Sequence, residues 1–594
     1  MKSENSITGI ELSTDSLAIP TNKTDSIQVI YQGNAEDIDY YAVIDGKYYK
    51  MIFADSKVKV ETTPSDIQSN ISSSQITATI TSGTNVTITK INGNIINLKA
   101  SNIVGTSVIT VSYGEYTKTC NITVMIVPSN QAEDPNTVIN TDYGLVDVIW
   151  LNGETNMYSS TPNVPNLYTN LEADKRLTPV TWTYNVNGTI VNNKTVNWTI
   201  DNTPQSTWYN YSADTGKNGK EDNTTSMWAN AKNSDGSYFV WIPRYAYRIT
   251  YYSDASYTHI TGYYDGYGMW RADNGQKKYN LDNGLETVFH NGYNYIVHPA
   301  FINDTSKKDS DGNSLEDFDR GGWDKNLTGF WVAKYEMSRK DADTTNAGSG
   351  ITGPFFSIPG VLSASLISIG DMYQIGRQYD ANKESHLIKS SEWGAVAFLT
   401  HSQYGRNGHE IDINNSPITG NGGGSPDAPA DSGTTYAYNT TLGAKASSTG
   451  NIYGVYDLSG CSWEYVAGYN KLGISYRLTH KSYGLYLTNE TKNAQGKYIS
   501  TKYVTGYNNG ERNNSLKELL YSTGKVGDAT KEVRTLSSST NWFSDNSVFV
   551  AYTVPFLGHG GAYDETRNAT GIFYSDSTNG GGYDGVSFRL TLAN

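Results

Sequence analysis

The tightest constraint on the fold lies in the first 127 residues. Seven strand-sized runs follow one another there: SIQVIY (26–31), YYAVI (40–44), ITATI (76–80), NVTITKI (85–91), IINLKA (95–100), TSVITVSY (106–113) and TKTCNITVMIV (117–127). Most alternate apolar and polar residues, the period of a strand with one buried face, and Gly or Asn separates them. So many short strands read as two sheets packed face to face, a β-sandwich. Cys120 falls inside the last run, where a small buried thiol is inert.

Beyond this segment the chain is too long for one core. At 594 residues, two to four domains are expected. Hydrophobic residues make up 37% and charged residues 18%, and the balance is Asn, Ser, Thr, Gly and 46 tyrosines. That many aromatics argue against disorder, and neither a collagen nor a coiled-coil period is present. A net charge of −14 argues against binding nucleic acid or an anionic membrane by charge. The opening MKSENSITGIELSTDSLAIP lacks the apolar stretch of a secretory signal peptide, and no run reaches transmembrane length. An extracellular-looking composition without an export signal fits a particle released by lysis. With only Cys120 and Cys461, a disulfide framework and a cysteine-based zinc site are not expected. The two thiols should belong to separate domains and stay unbonded.

Residues 1–128 are read as the sandwich, an anchor or spacer. PSNQAEDPNTVINTD (128–142) has the composition of a linker, and WTYNVNGTIVNNKTVNWTI (182–200) has strand character around an Asn187-Gly188 turn. Residues 129–235 are therefore expected to form a linker and a small β-rich subdomain. The rest, 236–594, reads as one loop-rich α+β domain. YFVWIPRYAYRITYY (238–252) and GFWVAKYEMS (329–338) are its firmest strand regions. In SEWGAVAFLTHSQYG (391–405), Trp393, Val396, Ala397 and Thr400 fall at helical spacing. Ser390 or Ser391 is the expected N-cap, with no capping-box acid three residues later.

Several stretches carry family resemblances. INLKASNIVGTSVITVSYGEYTKTCNITV resembles the closing strands of bacterial immunoglobulin-like modules. SHLIKSSEWGAVAFL (385–399), YGVYDLSGCSWEYVAG (453–468), GHGGAY (558–563) and GGYDGVSFRLTL (581–592) resemble, in order and spacing, the motifs of the formylglycine-generating enzyme family. This resemblance covers roughly 238–594 and implies a modified C-type-lectin fold, which also carries the receptor-binding face of phage tropism proteins. A nearer likeness is to bacterial and prophage proteins with V-W-I-P-R-Y-A-Y and S-E-W-G-A-V-A-Y-L-T-H-S. The implied architecture is an all-β immunoglobulin-like sandwich followed by a loop-rich α+β C-type-lectin-like domain. Its implied core is Trp393, Tyr456, Asp457, Trp463, Glu464 and Arg589, with Arg589 reaching an interior acid.

The family chemistry needs a cysteine pair near the C-terminal motif to bind copper, and no cysteine follows Cys461. No two of the eight histidines form H-x-x-x-H or H-E-x-x-H, and G-x-S-x-G is absent. A non-enzymatic protein with no catalytic residues and no catalytic metal is expected. A structural calcium is the one cofactor kept open. Asp457 and Glu464 could contribute oxygens, although Cys461 replaces an amide of the motif, and the acidic stretch 304–319 superficially resembles a calcium loop.

These readings converge on a structural or attachment protein of a phage or phage-like particle: a fibre, tail or capsid decoration. Its N-terminal module would meet other virion proteins, and its lectin-like domain a host-surface glycan or protein, with homo-oligomerisation kept open. Nucleic acid and membrane insertion are not expected. A bacterial cell-surface adhesin or saccharide-binding protein is the alternative, and an enzyme with an unrecognised site a weaker one. The expected location is the surface of a virion or extracellular particle, or else of a bacterial cell. Because the last strand should be locked into the sheet, the loops before it are expected to face the ligand. They offer Trp542, Phe543, His559, Tyr563, Tyr574 and Tyr583, with Asp584 as polar partner.

Overall fold

A computed structural model describes residues 7–12, 16–20, 24–33, 40–44, 47–54, 57–60, 76–92, 94–103, 105–125, 140–187, 195–201, 207–213, 226–252, 259–260, 286–291, 293–305, 318, 320–348, 353–423, 425–426, 434–472, 492, 498–508, 524–530, 532–533, 541–565 and 569–593. The chain divides into two compact units, Met1–Ala132 and Glu133–Asn594. The architecture is multidomain and mostly β, with several distinct sheets and few short helices.

In the first unit, two four-stranded sheets share one core. One runs Ile7–Leu12, Thr24–Gly33, Ile95–Ala100, Val86–Asn92. The other runs Ser16–Pro20, Tyr116–Met125, Gly105–Tyr113, Thr77–Ser82. Alternation decides what is buried: Ile96, Leu98 and Ala100 from the first sheet meet Ile109, Val111, Cys120 and Ile122 from the second. The run at 40–44, read as a strand of the sandwich, lies instead in a separate three-stranded sheet with Lys47–Ala54 and Lys57–Val60.

The second unit also takes in the segment read as linker and subdomain. Asn140–Leu151 pairs antiparallel with Tyr245–Tyr252, and Thr178–Asn187 pairs with Asn230–Lys232 in a seven-stranded sheet. These strands, weakly patterned in sequence, are integral parts of the larger unit rather than a body of their own. The strand region 238–252 is split at Pro243-Arg244, so Tyr238–Pro243 and Tyr245–Tyr252 enter different sheets. Proline has no N–H to continue the ladder, and the buried Arg244 is held by Asn156 Oδ1 at 2.6 Å and by the carbonyl of Phe301.

Among the described residues, two α-helices serve the core. Helix α1 (Ile369–Tyr379) is capped by the Ser368 hydroxyl, which accepts the Asp371 N–H at 3.3 Å. Helix α2 (Ser390–His401) is buried on every side, as expected of a helix without a polar face. Its cap differs from the sequence reading. Lys389 is the N-cap, and Glu392 three residues on accepts the Lys389 N–H at 3.0 Å, so a capping-box acid is present one register earlier.

The sheet that builds the site contains Thr505–Tyr507, Trp463–Asn470, Phe556–Gly561 and Thr570–Thr578 in that order. Val586–Phe588 pairs with Trp463–Asn470 in parallel, matching Trp463 to Val586 and Tyr465 to Phe588.

Candidate functional site

The strand period sorts the side chains of Trp463–Asn470. Trp463 and Tyr465 project to one face, while Glu464 between them turns to the other. On the inner face Glu464 meets Arg589, and both are fully buried. The guanidinium grips both carboxylate oxygens, with Nε to Oε2 at 2.7 Å. Its remaining donors reach the carbonyls of Ala333 at 3.1 Å and Tyr456 at 2.9 Å. Asp457, in a left-handed conformation at φ 61°, accepts from Gly420 N at 2.7 Å and Asn414 Nδ2 at 2.8 Å.

Glu336, which the sequence did not single out, completes this interior group. It takes the Ser462 N–H at 2.9 Å. Burial pushes its carboxyl well up, and Glu464 and Asp457 push the same way. Burial lifts Glu464 as well, against Arg589. The bidentate guanidinium favours the charged form of Glu464, whereas burial and the neighbouring acids push Glu336 toward its protonated form. These groups brace the sheet from its inner face.

On the outer face lies a cavity of about 440 Å³. Trp463, Tyr465, Tyr563 and Tyr583 form its aromatic walls; Asp564, Glu565 and Asp584 bring carboxylates; Ala562, Thr578, Gly585 and Val586 complete the lining. Trp463 is positioned by three contacts. Its backbone N–H donates to Gly585 O at 2.9 Å, its indole N–H to Glu565 Oε2 at 2.9 Å, and Tyr574 meets its ring edge-on at 5.5 Å. Tyr465 donates to Gly581 O at 2.8 Å, and Tyr583 to Asn579 Oδ1 at 2.8 Å. Asp584 Oδ1 accepts Gly585 N–H at 3.2 Å and the Ser365 hydroxyl at 3.3 Å.

Burial raises the Tyr563 phenol, and Asp564 and Asp584 raise it further, so it remains a neutral donor and acceptor. Burial also lifts Glu565, with the Trp463 N–H pulling it back. The cavity thus offers flat aromatic surfaces beside hydrogen-bonding carboxylates, within the size range of small-ligand sites.

No family model matches the chain, and no curated protein matches it. Among solved structures it is similar to the adhesin InvE of Yersinia pseudotuberculosis, at 8% identity, over 66% of this chain and 80% of that one, with a TM-score of 0.11. A score that low carries no argument about fold or function.

Of the seven residues read as ligand-facing, the cavity gathers Tyr563, Tyr583 and Asp584. The other four sit elsewhere. Tyr574 is buried behind Trp463, and its hydroxyl meets Asp576 at 3.3 Å. His559 is fully buried and stacked on Trp393 at 5.0 Å, with Nδ1 against the Tyr574 carbonyl. Trp542 is buried against His401 and Phe573, and half-buried Phe543 packs beside it on the same ring. His559, Trp542 and Phe543 have interior ring partners, and Tyr574 stands behind the cavity wall with its ring against Trp463, so none lines the cavity.

The residues read as core need one correction. Trp393, Tyr456, Asp457, Glu464 and Arg589 are buried, but Trp463 is only half-buried and walls the cavity. Tyr456 is buried in a side cluster with Trp182 and Tyr335. Sequence reading missed Trp463, Tyr465, Asp564 and Glu565 as lining residues. The two-residue spacing of Trp463 and Tyr465 was the available signal. As for calcium, no group of three or more His, Cys, Asp or Glu side chains among the described residues is arranged to hold a metal ion. Most of the acidic stretch 304–319 lies outside the described residues.

Proposed function

We propose that this protein is a non-catalytic attachment protein of a phage or phage-like particle. Its second unit, with the C-type-lectin-like fold implied by its motifs, binds a saccharide of the host surface in the cavity beside Trp463. The immunoglobulin-like first unit anchors or spaces it among other particle proteins. The observation that carries this reading is the cavity itself: Trp463, Tyr563 and Tyr583 stand together with three carboxylates. Sugar rings stack their C–H faces on such rings while carboxylates accept their hydroxyls. A bacterial surface adhesin would use the same site, and the two differ in address rather than in chemistry.

The test is a glycan array and whole-cell binding with Tyr563→Ala/Tyr583→Ala. Binding should fall at least ten-fold while the far-UV spectrum and melting curve stay nearly unchanged. Full binding by the folded double variant would remove the cavity as the site. Release of reducing sugar by the intact protein, lost in Glu565→Gln, would overturn the non-catalytic assignment.

A further inference from the structure

We infer that the cavity selects an oligosaccharide bearing a free, protonated amine over N-acetylated, neutral or acidic sugars. This rests on the reading of the cavity as a saccharide site and narrows it to one chemical class. Asp564, Glu565 and Asp584 converge on one cavity, and no Lys, Arg or His among its described lining residues opposes them. Among the described residues, none of the three is held in an ion pair. The donors that do reach them are neutral: the Trp463 indole N–H to Glu565, and the Gly585 N–H and Ser365 hydroxyl to Asp584. Neutral donors orient a carboxylate without cancelling its charge.

Three like charges around one partly enclosed space repel a uronate, sialate or phosphate and attract a cation. The aromatic walls act in the same direction, because an ammonium is drawn to the negative face of Trp and Tyr rings. An N-acetyl group would lose both attractions.

An exposed apolar residue beside Tyr583 gives room for a ligand longer than one ring. Leu366 is 63% exposed and held in a left-handed conformation, φ 62°. Its N–H donates to the Tyr583 carbonyl at 3.0 Å, beside a Tyr583 side chain that is 44% exposed. A leucine rarely adopts this conformation, and here it holds an exposed apolar side chain next to the segment that carries Tyr583. A second sugar ring can rest there while the first places its amine inside.

The experiment is calorimetric titration of the full chain with glucosamine hexamer, N-acetylglucosamine hexamer and tri-lysine, at low and at physiological salt. Glucosamine hexamer should bind at least ten-fold more tightly than its acetylated counterpart, and more weakly as salt rises. Glu565→Gln and Asp584→Asn should each weaken it several-fold without shifting the melting curve. Glutamine can still accept the Trp463 N–H, so a lost fold is not the expected reason. Equal affinity for the two hexamers, with both lost in Trp463→Ala, would overturn the amine preference and leave the saccharide site standing. Tri-lysine matching the glucosamine hexamer would overturn the sugar assignment in favour of a cationic peptide. No binding of either hexamer, with a positive array response abolished in Tyr563→Ala/Tyr583→Ala, would refute the amine alone. An array response untouched by that variant would refute the site.

Discussion

Single side chains in the interior divide into those whose charge the fold needs and those it keeps neutral. Glu464 and Glu336 are both buried acids, yet their substitutions should behave oppositely. Glu464→Gln strands the Arg589 guanidinium without its counter-charge, and should cost about 3–5 kcal/mol in denaturant unfolding. Glu336→Gln places a neutral isostere where burial disfavours a charge, and should change little near pH 5. The sign of the pH dependence follows from the raised folded-state pKa. Between the unfolded value and the raised one, the native state holds a proton that the unfolded chain releases, so stability falls as pH rises. Melting curves from pH 5 to 9 should show the glutamine variant gaining on the parent as pH increases. A constant difference would mean that Glu336 is ionised in the native state. Trp463→Ala makes a third contrast. As a half-buried wall rather than a core residue, Trp463 should contribute about 1–2 kcal/mol to stability, well below a fully buried tryptophan. A measured loss above 3 kcal/mol would return it to the core.

At the scale of elements, α2 shows packing overriding local preference. Within a helix, alanine is about 1 kcal/mol more favourable than glycine. At Gly394, however, an added Cβ would lie 2.0 Å from the Gly527 carbonyl oxygen, with the Asp528 backbone also close. Neither obstacle is a flexible side-chain end. Gly394→Ala should therefore destabilise, by about 1–3 kcal/mol as overpacking does, and lower the melting temperature. Gly376 in α1 is in the same position against the Leu387 N–H at 2.5 Å. A rise in melting temperature for either variant would show that the helix can shift to make room. The helix at 390–401 was legible because its apolar spacing is local. Its cap was not, because Lys389 does not belong to the residue types that announce an N-cap.

For the whole molecule, the division after Ala132 predicts two separable units. Calorimetry should show two transitions, and residues 133–594 expressed alone should keep the upper or lower one unchanged. One transition shared by both, absent from the fragment, would mean that the units fold as one. Neither cysteine is in a disulfide and both are buried, Cys120 in the first unit and Cys461 in the second, so thiol titration in denaturant without reductant should count two. The sequence by itself determined what depends on neighbours along the chain: the alternating runs of the first unit and the helical spacing within 391–405; the interior place of Asp457, Glu464 and Arg589 was implied only by a family resemblance. Partners across the fold were decided only by tertiary structure. Arg589 finds Glu464 125 residues away, and the strands of 140–232, too weakly patterned to place alone, gain their positions from strands to which they are hydrogen-bonded later in the chain. The site follows the same rule. Aromatic residues before the last strand look alike in sequence, but Trp542 and His559 pack against interior rings from distant segments, whereas Tyr563 and Tyr583 are left to line the cavity. Burial is a property of the packed sheet, and one residue's alternation along a strand can show which side it faces but not whether anything covers it.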